Sequence, residues 1–79
     1  MEAMMETKVK AGQLRRWSTQ PPGEAHFAKH GEKGWDDGCV FLVTSVAGAW
    51  SSLILETGLL RETTTLIVRK ASEVINEAG

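Results

Sequence analysis

Apolar positions concentrate between residues 39 and 61, CVFLVTSVAGAWSSLILETGLLR, and predict three consecutive antiparallel strands joined by two tight turns. Val40, Phe41, Leu42, Val43 and Val46 include the β-branched and aromatic types that suit a pleated surface, and they fall on both faces, as in an inner strand. Ala47-Gly48 reads as a two-residue hairpin loop, the glycine supplying the positive φ such a loop needs. Val46 then pairs with Ala49. Leu42 falls opposite Leu53, Val40 opposite Leu55, Phe41 beside Ile54 and Ser45 beside Trp50. A one-residue slip would send every side chain to the other face. Thr57-Gly58 predicts the second turn and 59–65 the third strand, because three threonines in a row are poor helix formers. This register lays Leu60 beside Leu55 on the core face and carries Glu62 onto the same face. That carboxylate is a misfit which a bulge, or a place at the mouth of a barrel, would relieve.

Outside this meander, Val9, Leu14 and Trp17 are the apolar points of residues 8–18, and 13–17 predicts a first strand entered through Gly12. Residues 18–38 read as a long loop, with Pro21-Pro22-Gly23, Gly31, Gly34 and Gly38 and little periodicity. Loops of this length are uncommon in small domains and are often functional. Phe27 and Trp35 either pin it to the body or form a binding surface. Near the C-terminus, 66–68 is a short apolar run and 72–75, SEVI, a final strand. Ile67, Ala71, Val74, Ile75 and Ala78 also have helical spacing, with Gly79 just past the end, so a C-terminal helix is the competing reading. Residues 1–7, with methionines at 1, 4 and 5, read as a flexible leader to a single domain over 8–79. The expected class is all-β, a small barrel of about five antiparallel strands; the alternative is an α+β meander with a C-terminal helix.

The opening Val9-Lys10-Ala11-Gly12-Gln13-Leu14, the strand FLVTSV, the turn ETGLLR and the closing SEVI together resemble a small SH3-like barrel of the short phage-encoded and bacterial type. The resemblance implies a long loop after the first strand, here 19–38, and a short 3₁₀ turn before the last, here 66–68. It also implies a binding module for a protein, a peptide or a nucleic acid.

Length and composition narrow the picture. At 79 residues the chain is one domain near the lower limit of a self-sufficient core, so self-association or a partner is expected to add stability. A formal net charge of −1 creates no global field toward nucleic acid or anionic membrane. The single cysteine, Cys39, allows no intrachain disulfide. No apolar run is long enough to span a bilayer and the N-terminus lacks a signal-peptide core, so a cytoplasmic location without membrane attachment is expected.

Candidate chemistry is sparse. His26 and His30 stand four residues apart with Asp36, Asp37 and Cys39 downstream, but prolines and glycines flank them and the spacing matches no standard zinc pattern. No metal or cofactor is expected. Cys39 suits a buried strand residue better than a thiol nucleophile, and no catalytic motif or carboxylate pair occurs, so the chain does not read as an enzyme. Arg15, Arg16, Arg61, Arg69 and Lys70, with Trp17 for base stacking, would make a nucleic-acid face. With ten acidic residues against nine basic, ordinary solvated charge is the better reading of those cations. Trp17, Trp35 and Trp50 cannot all be buried in so small a core, and tryptophan favours the centres of interfaces. The expected register puts Trp50 on one face with Phe41 and Ile54. The interface candidates are therefore Trp17, Trp35, Phe41, Trp50 and Ile54. A non-enzymatic protein-binding module is expected, of the accessory or assembly kind, engaging a partner or itself; a nucleic-acid-binding domain is the alternative.

Overall fold

The computed structural model describes residues 8–19 and 32–77. Its elements are β1 (Gln13–Trp17), β2 (Val40–Ala47), β3 (Trp50–Leu55), β4 (Leu60–Thr64), α1 (Thr65–Ala71) and β5 (Ser72–Glu77). All strand pairs are antiparallel, in one sheet of order β4-β3-β2-β1-β5. The described residues are thus mostly β, with five strands and one short helix. The readings of 1–7 as a leader and of Phe27, His26 and His30 fall outside the described residues.

The competing C-terminal helix forms only over 65–71; Val74 and Ile75 lie in β5, in line with the strand reading, and Ala78 and Gly79 fall outside the described residues. Thr64 caps α1, its hydroxyl accepting from the Ile67 N–H at 3.3 Å, and Arg69 and Lys70 occupy the last turn, where cations suit the helix dipole. The helix buries Val68 and Ala71 and stops at Ser72, whose backbone is extended and whose hydroxyl bonds the Val68 carbonyl. A helix of seven residues replaces the 3₁₀ turn expected at 66–68, and β4 ends at Thr64 rather than at 65.

Both turns differ from expectation, and the differences decide which side chains are inside. The first loop is Gly48-Ala49, with Ala47 paired to Trp50. Gly48 carries the positive φ of 60° and Ala49 does not, so the glycine sits first in the turn, as in type II′, rather than second. A bulge follows, the register shifting between Val43 and Ser45. Below it Phe41 pairs with Leu55, Leu42 with Ile54 and Val43 with Leu53. The expected pairs Leu42–Leu53, Val40–Leu55, Phe41–Ile54 and Ser45–Trp50 are replaced.

The second turn holds three residues instead of two. Leu55 N–H donates to Leu59 O at 2.9 Å, Gly58 N–H donates back to Leu55 O at 2.8 Å, and Gly58 has φ 91°. Ile54 therefore pairs with Leu60, and Ser52 with Glu62. The extra loop residue moves β4 by one position, so Leu60 and Glu62 both turn outward and the buried-carboxylate misfit disappears.

One side of the sheet is the core. Trp17, Phe41, Val43, Leu53 and Leu55 pack there with Val9, Trp35, Val68 and Ala71. Strand β1 is inverted in polarity: Gln13, Arg15 and Trp17 point inward while Leu14 and Arg16 point outward. Among the described residues no helix is long and apolar enough to cross a membrane.

Candidate functional site

The five interface candidates separate between the two faces. Trp17, Trp35 and Phe41 are buried. The Trp17 ring lies 5.7 Å from that of Trp35 and 4.4 Å from that of Phe41, centroid to centroid, and the Trp35 Nε1–H donates to Glu32 Oε2 at 2.9 Å. Offset aromatic pairs of this kind contribute about 0.5–1.5 kcal/mol beyond the area they bury. Stacking is how so small a core accepts two tryptophans. These three rings belong to the core and are closed to a partner, which corrects the expectation of an interface there. Trp50 and Ile54 point outward, 42% and 37% exposed.

The expected grouping of Trp50 with Phe41 gives way to a different one. Leu14 pairs with Leu42, Leu42 with Ile54 and Ile54 with Leu60, each on the outer face. The result is an apolar row running across four adjacent strands. Leu42 is 37% exposed and Leu60 61%, and Leu14 is half-buried. Trp50 lies on the same face two residues along β3 from Ser52, which separates it from Ile54. Leu42 and Leu60 were missed in the sequence because the two-residue turns sent the wrong set inward, and Leu14 because its pairing with Leu42 was not read.

The row has a polar rim. On one side Arg16 and Glu73 form an exposed ion pair at 2.7 Å, and Glu56 reaches the Val40 N–H at 3.3 Å. On the other side stand Ser52 and Glu62, paired across β3 and β4. Leu60, Arg61, Glu62 and Ser52 line a shallow open depression at the end of the row. Among the described residues, the carboxylates of Glu56, Glu62 and Glu73 and the guanidiniums of Arg16 and Arg61, each paired with a glutamate, thus border the apolar strip.

The five cations expected of a nucleic-acid face do not come together. Arg15 is buried: its Nε donates to Ser72 Oγ at 2.8 Å, Nη1 to Gln13 Oε1 at 2.8 Å, and Nη2 to the carbonyls of Ser72 at 3.1 Å and Val68 at 3.3 Å. It ties β1 to the junction of α1 and β5. Arg16 is engaged with Glu73 on the outer face. Arg61, at the far edge of the sheet, makes a forked contact with Glu32, Nε and Nη2 each donating at 3.0 Å, and those hydrogen bonds push its pKa up. Arg69 and Lys70 are exposed on α1. The expected basic face is therefore not assembled.

Cys39 is half-buried, and burial above all pushes its thiol pKa up, with the nearby Glu56 carboxylate adding to the effect and a hydrogen bond from the Asp36 backbone opposing it. A raised thiol is the reverse of what a nucleophile needs. Among the described residues no group of three His, Cys, Asp or Glu side chains stands close enough to hold a metal. Neither a protein-family model, nor a curated protein, nor a solved structure matches the chain.

Proposed function

We propose that this chain is a small non-enzymatic protein-binding module built as an SH3-like barrel, of the accessory or assembly kind found among phage-type proteins, acting in the cytoplasm. Its binding surface is the outer sheet face around Leu42, Ile54 and Leu60. The observation that carries this reading is the solvent-open apolar row on the side of the sheet opposite the core. Exposed contiguous apolar patches on small soluble domains mark interaction sites, and covering one contributes about 25 cal/mol for each Å² removed from water. The barrel reading is supported by the strand order, by the long connection between β1 and β2, and by the single helical segment between β4 and β5.

Electrostatics favours a protein over a nucleic acid. The rim of the row is mainly carboxylate, and the cations are buried, paired or scattered. Phosphate contacts need the opposite arrangement. The test is capture from a lysate of the source organism with the tagged wild type and with Ile54→Lys, at low and at high salt. A protein held in high salt and lost with Ile54→Lys is expected. Nucleic acid captured at low salt and released from both baits at high salt would overturn the reading, as would a partner that Ile54→Lys retains.

A further inference from the structure

Strand β4 forms one edge of the sheet. The bonds from Leu55 N–H to Leu59 O and from Thr65 N–H to Ala49 O fix the phase of its ladder with β3. By the alternation of antiparallel pairing, Arg61 and Thr63 turn their backbone groups toward β3, while Leu60, Glu62 and Thr64 turn theirs toward the open side. The Leu60 carbonyl on that side already accepts from Arg61 Nη1 at 2.9 Å, so the Glu62 N–H and C=O are the central pair of the edge. Unpaired groups on an edge strand are a template for an added strand.

Side chains at this edge state what such a strand must carry. Leu60, 61% exposed, is the end of the apolar row, and the row continues only if an apolar residue lies opposite it. Glu62, two positions on, is exposed and pairs across β3 with Ser52 rather than with a cation. The depression lined by Ser52, Leu60, Arg61 and Glu62 lies between the two positions. In antiparallel addition the residue facing Leu60 comes two positions after the residue facing Glu62. We infer that the β4 edge binds an extended segment of a different protein with the pattern Lys or Arg, any residue, then Val or Ile, as a sixth antiparallel strand. This rests on the protein-binding reading above and names the partner's chemistry.

A second copy does not fit. Centring a two-fold pair of β4 strands on Glu62 or on Arg61 places like charges face to face, centring it on Thr63 runs Leu60 against α1 of the other copy, and centring it on Leu60 leaves only the end of β4 and the turn at 56–58 to pair. Strand β5, SEVINE, offers two glutamates and no cation. The charges that keep identical chains apart are the ones that select a basic strand.

The probe is a blocked peptide, Ac-Ser-Thr-Lys-Thr-Val-Thr-Ser-amide, titrated into ¹⁵N-labelled full-length protein and followed by amide shifts. Shifts centred on Leu60 and Glu62 are expected. Glu62→Lys should weaken binding by roughly three- to tenfold, since one opposite-charge cross-strand pair becomes a like-charge pair. A peptide with Glu in place of Lys should restore binding to Glu62→Lys, which a purely structural role of Glu62 would not produce. Absence of shifts at millimolar peptide, shifts centred on β5, or equal affinity for the wild type and Glu62→Lys would overturn the inference. The lysate capture separates the two levels. A partner lost with Ile54→Lys but kept with Glu62→Lys removes the edge site and leaves the face standing; a partner kept by both removes both.

Discussion

Two neighbouring arginines should respond to the same substitution with losses of very different size. Arg15→Met removes a buried guanidinium whose hydrogen bonds reach Gln13, Val68 and Ser72. Two acceptors keep another donor, because the Ser72 hydroxyl still bonds the Val68 carbonyl and the Lys10 N–H still reaches Gln13 Oε1. The Ser72 carbonyl loses the arginine, and burial of such an unsatisfied group costs about 1–3 kcal/mol, with the lost charge-assisted bonds adding to it. Breaking a buried charged network typically costs about 3–5 kcal/mol. For a chain of this length the whole stability is of order 4–12 kcal/mol, so Arg15→Met should come close to unfolding the protein. Arg16→Met removes only an ion pair whose two side chains are about half exposed, worth about 0–1 kcal/mol. Urea denaturation followed by tryptophan fluorescence reads both, since Trp17 and Trp35 are stacked in the core. Arg15→Lys keeps the charge but loses the planar fork, and should fall between wild type and Arg15→Met. An Arg15→Met midpoint within about 1 kcal/mol of wild type, or equal losses for both arginines, would refute the placement of Arg15.

Further substitutions probe the turns and the faces. Leu55→Ala should cost about 2–5 kcal/mol as a core truncation, whereas Ile54→Ala should cost less than about 1 kcal/mol, measured by the same urea titration. Equal losses, or the reverse order, would contradict the placement of Leu55 inside and Ile54 outside. Gly58→Val should lower the melting temperature by roughly 5–10 °C, because a φ of 91° costs an L-residue about 1–2 kcal/mol even with open space around it. An unchanged melting temperature would mean that the turn is placed wrongly. With its thiol pKa raised, Cys39 should alkylate more slowly than a free cysteine at neutral pH and accelerate only above the ordinary thiol range. Faster alkylation than the free amino acid, followed by mass spectrometry against pH, would contradict this.

Much of the strand plan was legible in the sequence, and the reasons for the failures are local. β-branched and aromatic clustering located β2, the apolar points Leu14 and Trp17 after Gly12 located β1, and the glycines located both hairpins and with them β3. What pattern alone could not supply was the place of each glycine within its turn. Gly48 takes the first loop position and Gly58 ends a three-residue loop, and each choice moves the pairing. The bulge near Thr44 shifts it again and leaves no mark in composition. One clue was present: Glu62 on a core face signalled a slip of one residue, and the three-residue turn removes the conflict. The C-terminal ambiguity arose because 67–71 is helical in spacing and 72–77 is extended, and a window spanning both reads as either. Arg15 gave the least warning. It alternates with the buried Trp17, but a charged side chain is read as solvated unless its partners are known, and besides Gln13 those are Val68 and Ser72, fifty-three and fifty-seven residues away. The misassigned site followed from the register, since Phe41 and Ile54 exchanged company when the faces separated.

The central claim, that the apolar row faces solvent and is open to a partner, is tested most directly without one. Adding a soluble nitroxide to protein with ¹³C-labelled Leu, Val and Ile methyls broadens only those that meet solvent. Strong broadening is predicted for Leu42, Ile54 and Leu60, with Val43, Leu53, Leu55 and Val68 left sharp. Broadening of Leu53 or Leu55, or protection of Leu42 and Ile54 at every protein concentration, would contradict it.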